Sequence, residues 1–157
     1  SLTPLLSVVL AISEREGLGA VWWRPLARNK AVFDEAHALL GRLKLDALSD
    51  VPVAELAYGK QRLLEIALAM AAKPRVLLLD EPAAGVPEDE SAELFEVIAD
   101  LPQDIGVLFI EHDMNLVFRF SRRISVLVAG QILTEGTPAE IGADPRVREV
   151  YLGSSHA

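Results

Sequence analysis

Residues 76–85, VLLLDEPAAG, form an apolar run that stops at two carboxylates and then turns on a proline. Open α/β sheets place their ligands at the carboxyl ends of the strands, and a carboxylate buried there needs a cation or hydrogen-bond donors to offset its desolvation. Asp80 suits a hard divalent cation that also binds phosphates. Glu81, the next residue, projects differently and is suited to accept a proton from a water attacking a phosphoryl group. The plainer alternative is that both residues end a strand and cap the following turn; the pair alone does not separate the two readings.

The elements that must position these carboxylates are legible as a change of rhythm along the chain. In the first half the pattern is helical. Thr3 caps and Pro4 opens a helix that runs through LLSVVLAISERE to Gly17. Asn29 is placed to cap KAVFDEAHALLGRLKL, where Val32, Phe33, Ala36, Leu39, Leu40 and Leu43 keep a helical period. A polar link, DALSDVP, precedes a third helix in KQRLLEIALAMAA, which ends before Pro74. The second half brings RVLLLD and GVLFIE, short continuous apolar runs expected of strands buried on both faces. Between them Pro87 and the acids Glu88, Asp89 and Glu90 start a helix, with negative charge at its positive end. Strand, helix, strand is the unit of a parallel sheet. A short helix in MNLVFRFS, a hairpin turning on Ala129-Gly130, a capping box in TPAE (137–140) and a final helix capped by Asp144 complete the chain.

Composition bounds the function. A chain of 157 residues fits one domain, or a domain with a small satellite. There is no cysteine, which excludes disulfides and thiolate metal sites. The net charge of -8 argues against a general nucleic-acid surface. A hydrophobic fraction of 51% is rich for a free-standing soluble domain and points to apolar surface that meets something else. The apolar run Leu5–Ile12 is too short to cross a bilayer and carries no signal-peptide features. The expectation is a cytosolic protein that contacts a membrane protein without entering lipid.

Three segments occur together: LAYGKQR (56–62), VLLLDEP (76–82) and IEHD (110–113). In order and spacing they resemble the ATP-binding subunits of ABC transporters, and LAYGKQRLLEIA, LLLDEPAAG, IEHDMNLV, GQILTEGTPAEI and YLG are similar to the subgroup that serves branched-chain amino-acid importers. The resemblance runs from Thr3 onward. It implies an α/β chain that is part of a P-loop NTPase fold, with a helical subdomain (1–55) followed by the signature helix and the C-terminal half of the parallel-sheet core (56–157). It makes Asp80 the residue that holds magnesium through water, Glu81 the general base, and His112 the switch residue at the γ-phosphate. Leu56, Ala57, Tyr58, Gly59 and Lys60 become the signature segment that faces ATP on the opposite subunit. The residues agree with that role, because Gly59 permits close backbone approach and the following helix directs unpaired N–H groups and its positive dipole end at an anion. Read without the family, YGK is an ordinary helix start and His112 an ordinary exposed or structural histidine.

The sequence departs from the family pattern at several points. Ala57 replaces a serine whose hydroxyl would bond the γ-phosphate, Tyr58 a glycine and Lys60 a glutamine. Val86, in AAGV (83–86), stands where the D-loop usually has an aspartate, and Leu68 where relatives often carry arginine. No G-x-x-x-x-G-K-[ST] occurs, since the only Gly-Lys pair, Gly59-Lys60, is followed by Gln61 and preceded by no strand. The expectation is a fragment or a truncated gene that does not hold ATP unaided and is inactive by itself.

The resemblance implies ATP and magnesium as ligands, and as partners a second ATP-binding subunit, transmembrane permease subunits and, indirectly, an extracytoplasmic substrate-binding protein. Its implied location is peripheral, on the cytoplasmic face of the inner membrane. Lipopolysaccharide export is the alternative within transporters, since that ATPase also ends in a similar YLG, and a non-enzymatic module supplying only a signature face is another. DNA-repair and chromosome-structure ATPases need long heptad coiled coils that residues 1–55 do not contain. Trp22 and Trp23, beside Arg24 and Arg28, suit either an interface anchor on the membrane subunits or packing on neighbouring helices. Open strand edges and uncovered apolar faces in RVLLLD and GVLFIE predict self-association.

Overall fold

A computed structural model describes residues 2–18 and 29–152, and it separates into two compact units, 1–110 and 111–157. Trp22, Trp23, Arg24 and Arg28 lie outside the described residues.

The first unit begins with α1 (Pro4–Arg15). The Thr3 hydroxyl accepts the Leu6 N–H at 3.3 Å, Pro4 occupies the first turn, and Gly17 leaves the helix at φ +68°. Helix α2 (Lys30–Arg42) buries Val32, Ala36 and Leu40 on one stripe, continued by Leu43 past its end. Asn29 stands at its N-cap position but its side chain makes no capping bond, contrary to expectation. Two short 3-10 turns, Asp46–Leu48 and Val53–Glu55, lead to α3 (Tyr58–Ala71). The link is tied back onto α1 by Leu5 N–H to the Ser49 carbonyl and Val53 N–H to the Leu2 carbonyl, both at 3.0 Å. Val8, Val9, Ile12, Ala36, Leu40, Leu43, Leu45 and Ala67 are fully buried and form the helical part of the core.

Arg15 clamps these three helices together. Its guanidinium donates to both carboxylate oxygens of Glu35 at 2.8 Å and to the Ala71 carbonyl at 2.6 Å, so one side chain joins α1, α2 and the last turn of α3. The hydrogen bond from Arg15 holds the Glu35 carboxyl below its ordinary range, with Lys73, 3.2 Å away, acting in the same direction.

Strands β1 (Val76–Asp80) and β2 (Gly106–Ile110) pair in parallel, in the register Val76 with Gly106 through Asp80 with Ile110, and α4 (Glu88–Ala99) is the crossover between them. The Phe95 side chain on α4 is fully buried and meets Phe109 edge to face, with ring centroids 5.0 Å apart at 75°. Leu77 is buried too, but only this face of the two strands is covered. On the other, Val76, Leu78, Leu108 and Ile110 are exposed, Leu78 by 69%. Burial on both faces does not occur in this chain, whereas the uncovered apolar face is the one expected from the sequence. The continuous apolar runs do mark strands with two apolar faces, and only one of those faces is covered here.

The second unit carries α5 (Met114–Phe120), then the antiparallel hairpin β3 (Ile124–Val128) and β4 (Gln131–Gly136). Ala129 and Gly130 both have positive φ, 49° and 78°, the backbone that a two-residue hairpin turn matching the strand twist requires. Helix α6 (Pro138–Ala143) opens with the expected capping box between Thr137 and Glu140, which holds the Glu140 carboxyl below its ordinary range. Asp144 accepts the Arg146 N–H at 2.9 Å at the start of α7 (Pro145–Leu152), and its contacts with Arg146 push its pKa down to about 2.

Candidate functional site

Asp80 is the last residue of β1, and the parallel ladder runs one residue further, because the Glu81 N–H donates to the Ile110 carbonyl at 2.9 Å. Glu81 then takes φ +44°, the left-handed region that a non-glycine residue rarely occupies. The chain turns there: the Glu81 carbonyl accepts from Ala84 N–H at 2.9 Å, the Ala83 carbonyl from Val86 N–H at 3.0 Å, and Gly85 has φ +75°. Backbone held in a sparsely populated region is a frequent mark of functional positions. Asp80 thus stays on the strand, while Glu81 leads the turn away from it. Both are exposed. The expectation that burial by itself obliges them to find a cation does not hold for this chain, because both residues are exposed.

These residues fit a magnesium ion of the kind held mostly by phosphates and water. They supply hard carboxylate oxygens at a strand end, and no group of three or more His, Asp or Glu residues that could by itself enclose a metal occurs among the described residues.

The segment from Leu56 to Lys60 is built around the first turn of α3. Leu56 is buried and its carbonyl accepts from the Gln61 side chain at 2.9 Å. Ala57 is at the N-cap position, extended and without a side chain able to cap. Tyr58 is exposed; the Arg62 guanidinium lies 5.0 Å from its ring centroid and donates to its hydroxyl at 2.8 Å. The turn after Glu81 reaches this helix start. A Cβ added at Gly85 would meet the Tyr58 ring at 3.4 Å, and one added at Gly59 would meet Val86 Cγ1 at the same distance. The first unit therefore brings Tyr58 and Gly59 into contact with segment 83–86. His112 is in the second unit, exposed, two residues beyond β2 and just ahead of Asp113, which caps α5 by accepting the Asn115 N–H at 2.8 Å.

Sequence reasoning missed Glu90 and Glu93. Glu90 accepts the Gly59 N–H at 3.0 Å, and Glu93 pairs with the Lys60 ammonium at 2.8 Å. They were legible only as acids in and beyond the first turn of α4, where the helix dipole explains them; their spacing of three, which puts both on one face, was the available signal.

Comparison with known proteins places the chain. The ABC transporter family model matches residues 8–84, and the model of the branched-chain amino acid ATP-binding cassette transporter matches residues 131–157. The chain belongs to the ABC transporter family. It is 45% identical over 131 residues to the high-affinity branched-chain amino acid transport ATP-binding protein LivG of Salmonella typhimurium, a match that covers 82% of this chain and 51% of that protein. It is also 43% identical over 121 residues to the lipopolysaccharide export system ATP-binding protein LptB of Acidithiobacillus ferridurans, covering 76% of this chain and 50% of the relative. This ABC transporter chain thus spans about half the length of the curated relatives it matches. Among solved structures it is similar to the ADP conformation of MJ1267, an ATP-binding cassette of an ABC transporter, with a TM-score of 0.77 and 29% identity over 97% of this chain and 63% of that one. The fold class expected from the resemblance, part of a P-loop NTPase, is the one these structures have.

Proposed function

We propose that this chain is the C-terminal part of an ATP-binding subunit that couples ATP hydrolysis to the import of branched-chain or similar amino acids. The observation that carries the reading is the Asp80-Glu81 pair where the parallel ladder of β1 and β2 ends, on a turn that packs against the start of α3. In this reading Asp80 holds magnesium through water. Magnesium, when bound, neutralises charge on the phosphate oxygens and fixes their orientation. The Glu81 carboxylate takes a proton from the water whose oxygen forms the new bond to the γ-phosphorus as the bond to the leaving oxygen of ADP breaks. His112 contacts the γ-phosphate, and Leu56 to Lys60 face the ATP of the opposite subunit through backbone N–H groups, since Ala57 has no hydroxyl to offer.

The assembly that goes with this reading contains a second ATP-binding subunit, transmembrane permease subunits and, indirectly, an extracytoplasmic substrate-binding protein, with the chain peripheral on the cytoplasmic face of the inner membrane. None of the described helices is long and apolar enough to cross a membrane. Residues 1–55 form the helical subdomain of this scheme and 56–157 the signature helix and catalytic core. By itself the chain is inactive, because its 157 residues offer no G-x-x-x-x-G-K-[ST] loop to cradle phosphates. The chain alone self-associates through the apolar face of Val76, Leu78, Leu108 and Ile110. Light scattering at micromolar concentration should give a mass above the monomer with or without ATP; a monodisperse monomer contradicts this.

Amino-acid import is favoured over lipopolysaccharide export by the match of residues 131–157 to the branched-chain amino acid family model. The test is complementation. The chain, joined to the P-loop-bearing half of a branched-chain relative, should restore leucine uptake to cells lacking their own ATP-binding subunit. Rescue of lipopolysaccharide export without rescue of uptake would reverse the assignment.

A further inference from the structure

The start of α3 is already occupied by an anion that the chain supplies itself. A helix leaves its first N–H groups without intrahelical partners, and Ala57 has no side chain to cap them. The Gly59 N–H is taken instead by a carboxylate from another element, Glu90 of α4, at 3.0 Å. One helical turn further, Glu93 of the same α4 face holds the Lys60 ammonium at 2.8 Å. Gly59 is buried beneath this pair. A Cβ there would stand 2.5 Å from the Glu90 carboxylate oxygen, closer than a Cβ approaches another atom, so any other residue would push the carboxylate out of this seat. Glu90 itself is half-buried, and it follows the turn that starts at Glu81.

We propose that Glu90 is a latch: an internal carboxylate that holds the Gly59 N–H and must be exchanged for a phosphoryl oxygen when the signature segment engages ATP. This rests on the reading of Leu56 to Lys60 as the segment that faces ATP. The physical argument is exclusion. One N–H makes one strong hydrogen bond, and a carboxylate and a phosphate compete for it while repelling each other at short range. The latch therefore lowers the affinity of α3 for phosphate. It also ties the release of α3 to movement of α4, which continues from the Asp80-Glu81 turn. Glu90 acts here as a positioning residue. Glu93, which grips Lys60 and not the Gly59 N–H, holds the two helices together in either state.

The test follows the Gly59 amide resonance in nitrogen-proton spectra of the chain joined to a P-loop-bearing segment of a relative, during titration with ATP and magnesium. The variants are Glu90→Ala, which removes the latch, Glu90→Gln, which keeps an oxygen acceptor without the charge, and Glu93→Gln, which leaves the latch in place. Glu90→Ala should bring the Gly59 shift in at an ATP concentration about tenfold lower than wild type, the worth of one charge-assisted hydrogen bond. Glu90→Gln should fall between, and Glu93→Gln should match wild type. The spectrum of α3 reports whether each variant folds, and Glu90→Gln remains informative if Glu90→Ala does not. A Gly59 response that is equal in wild type and both Glu90 variants overturns the latch and leaves the signature reading standing. No response of Gly59 in any folded variant overturns the signature reading, and the latch with it.

Discussion

In a chain joined to a P-loop-bearing segment, Glu81→Gln is expected to lower the rate of ATP hydrolysis about 10²- to 10⁴-fold while leaving ATP binding in place, the usual worth of a general base. The substitution keeps the size and hydrogen-bonding shape of the side chain, so it preserves the turn that Glu81 makes at φ +44° and removes only proton acceptance. Asp80→Asn should act differently, weakening the magnesium-dependent part of nucleotide binding, since Asp80 is the last residue of the strand and the proposed function gives it the metal. Single-turnover kinetics across a magnesium titration separate the two. Small and equal effects would mean that base and metal ligand have been misassigned.

Phe95→Ala is expected to cost about 3–5 kcal/mol of folding stability, the range for truncating a fully buried phenylalanine. Phe95 contributes more than its own area, because its ring is the edge-to-face partner of Phe109 and so fixes α4 on the covered face of the sheet. The same contact fixes the strand against whose end Glu81 is bonded. Denaturant unfolding monitored by circular dichroism measures the loss. A cost below about 1 kcal/mol would show that α4 does not depend on this core contact.

The helices, the crossover and the hairpin were legible in the sequence because their signals are local. Thr3 and Pro4 start α1 by side-chain chemistry that needs no tertiary partner, and Ala129-Gly130 sets the hairpin through backbone geometry alone. Asp80 and Glu81 were legible because an apolar run that ends in charge places them at a strand end wherever the strand packs. What escaped was long-range or depended on what covers a surface. Apolar character on both faces of β1 and β2 is a property of the residues, but burial belongs to their surroundings: the sequence predicted an uncovered apolar face without saying which residues, and Leu78 and Leu108 are on it. Asn29 has the right type for a cap, yet the capping bond depends on a side-chain conformation that type does not fix. The grip of Glu90 on Gly59 joins residues 31 apart, and nothing in the first turn of α4 announces its target.

In the proposed function Asp80 faces the metal, Glu81 is the base and α3 is the signature helix, while the 157 residues contain no G-x-x-x-x-G-K-[ST] loop to cradle phosphates. The most direct measurement is magnesium-dependent phosphate release by the purified chain, alone and joined to a P-loop-bearing segment of a relative, each with and without Glu81→Gln. The prediction is no release above background from the chain alone, turnover from the joined protein, and loss of that turnover in Glu81→Gln. Steady release by the chain alone that Glu81→Gln abolishes would contradict it.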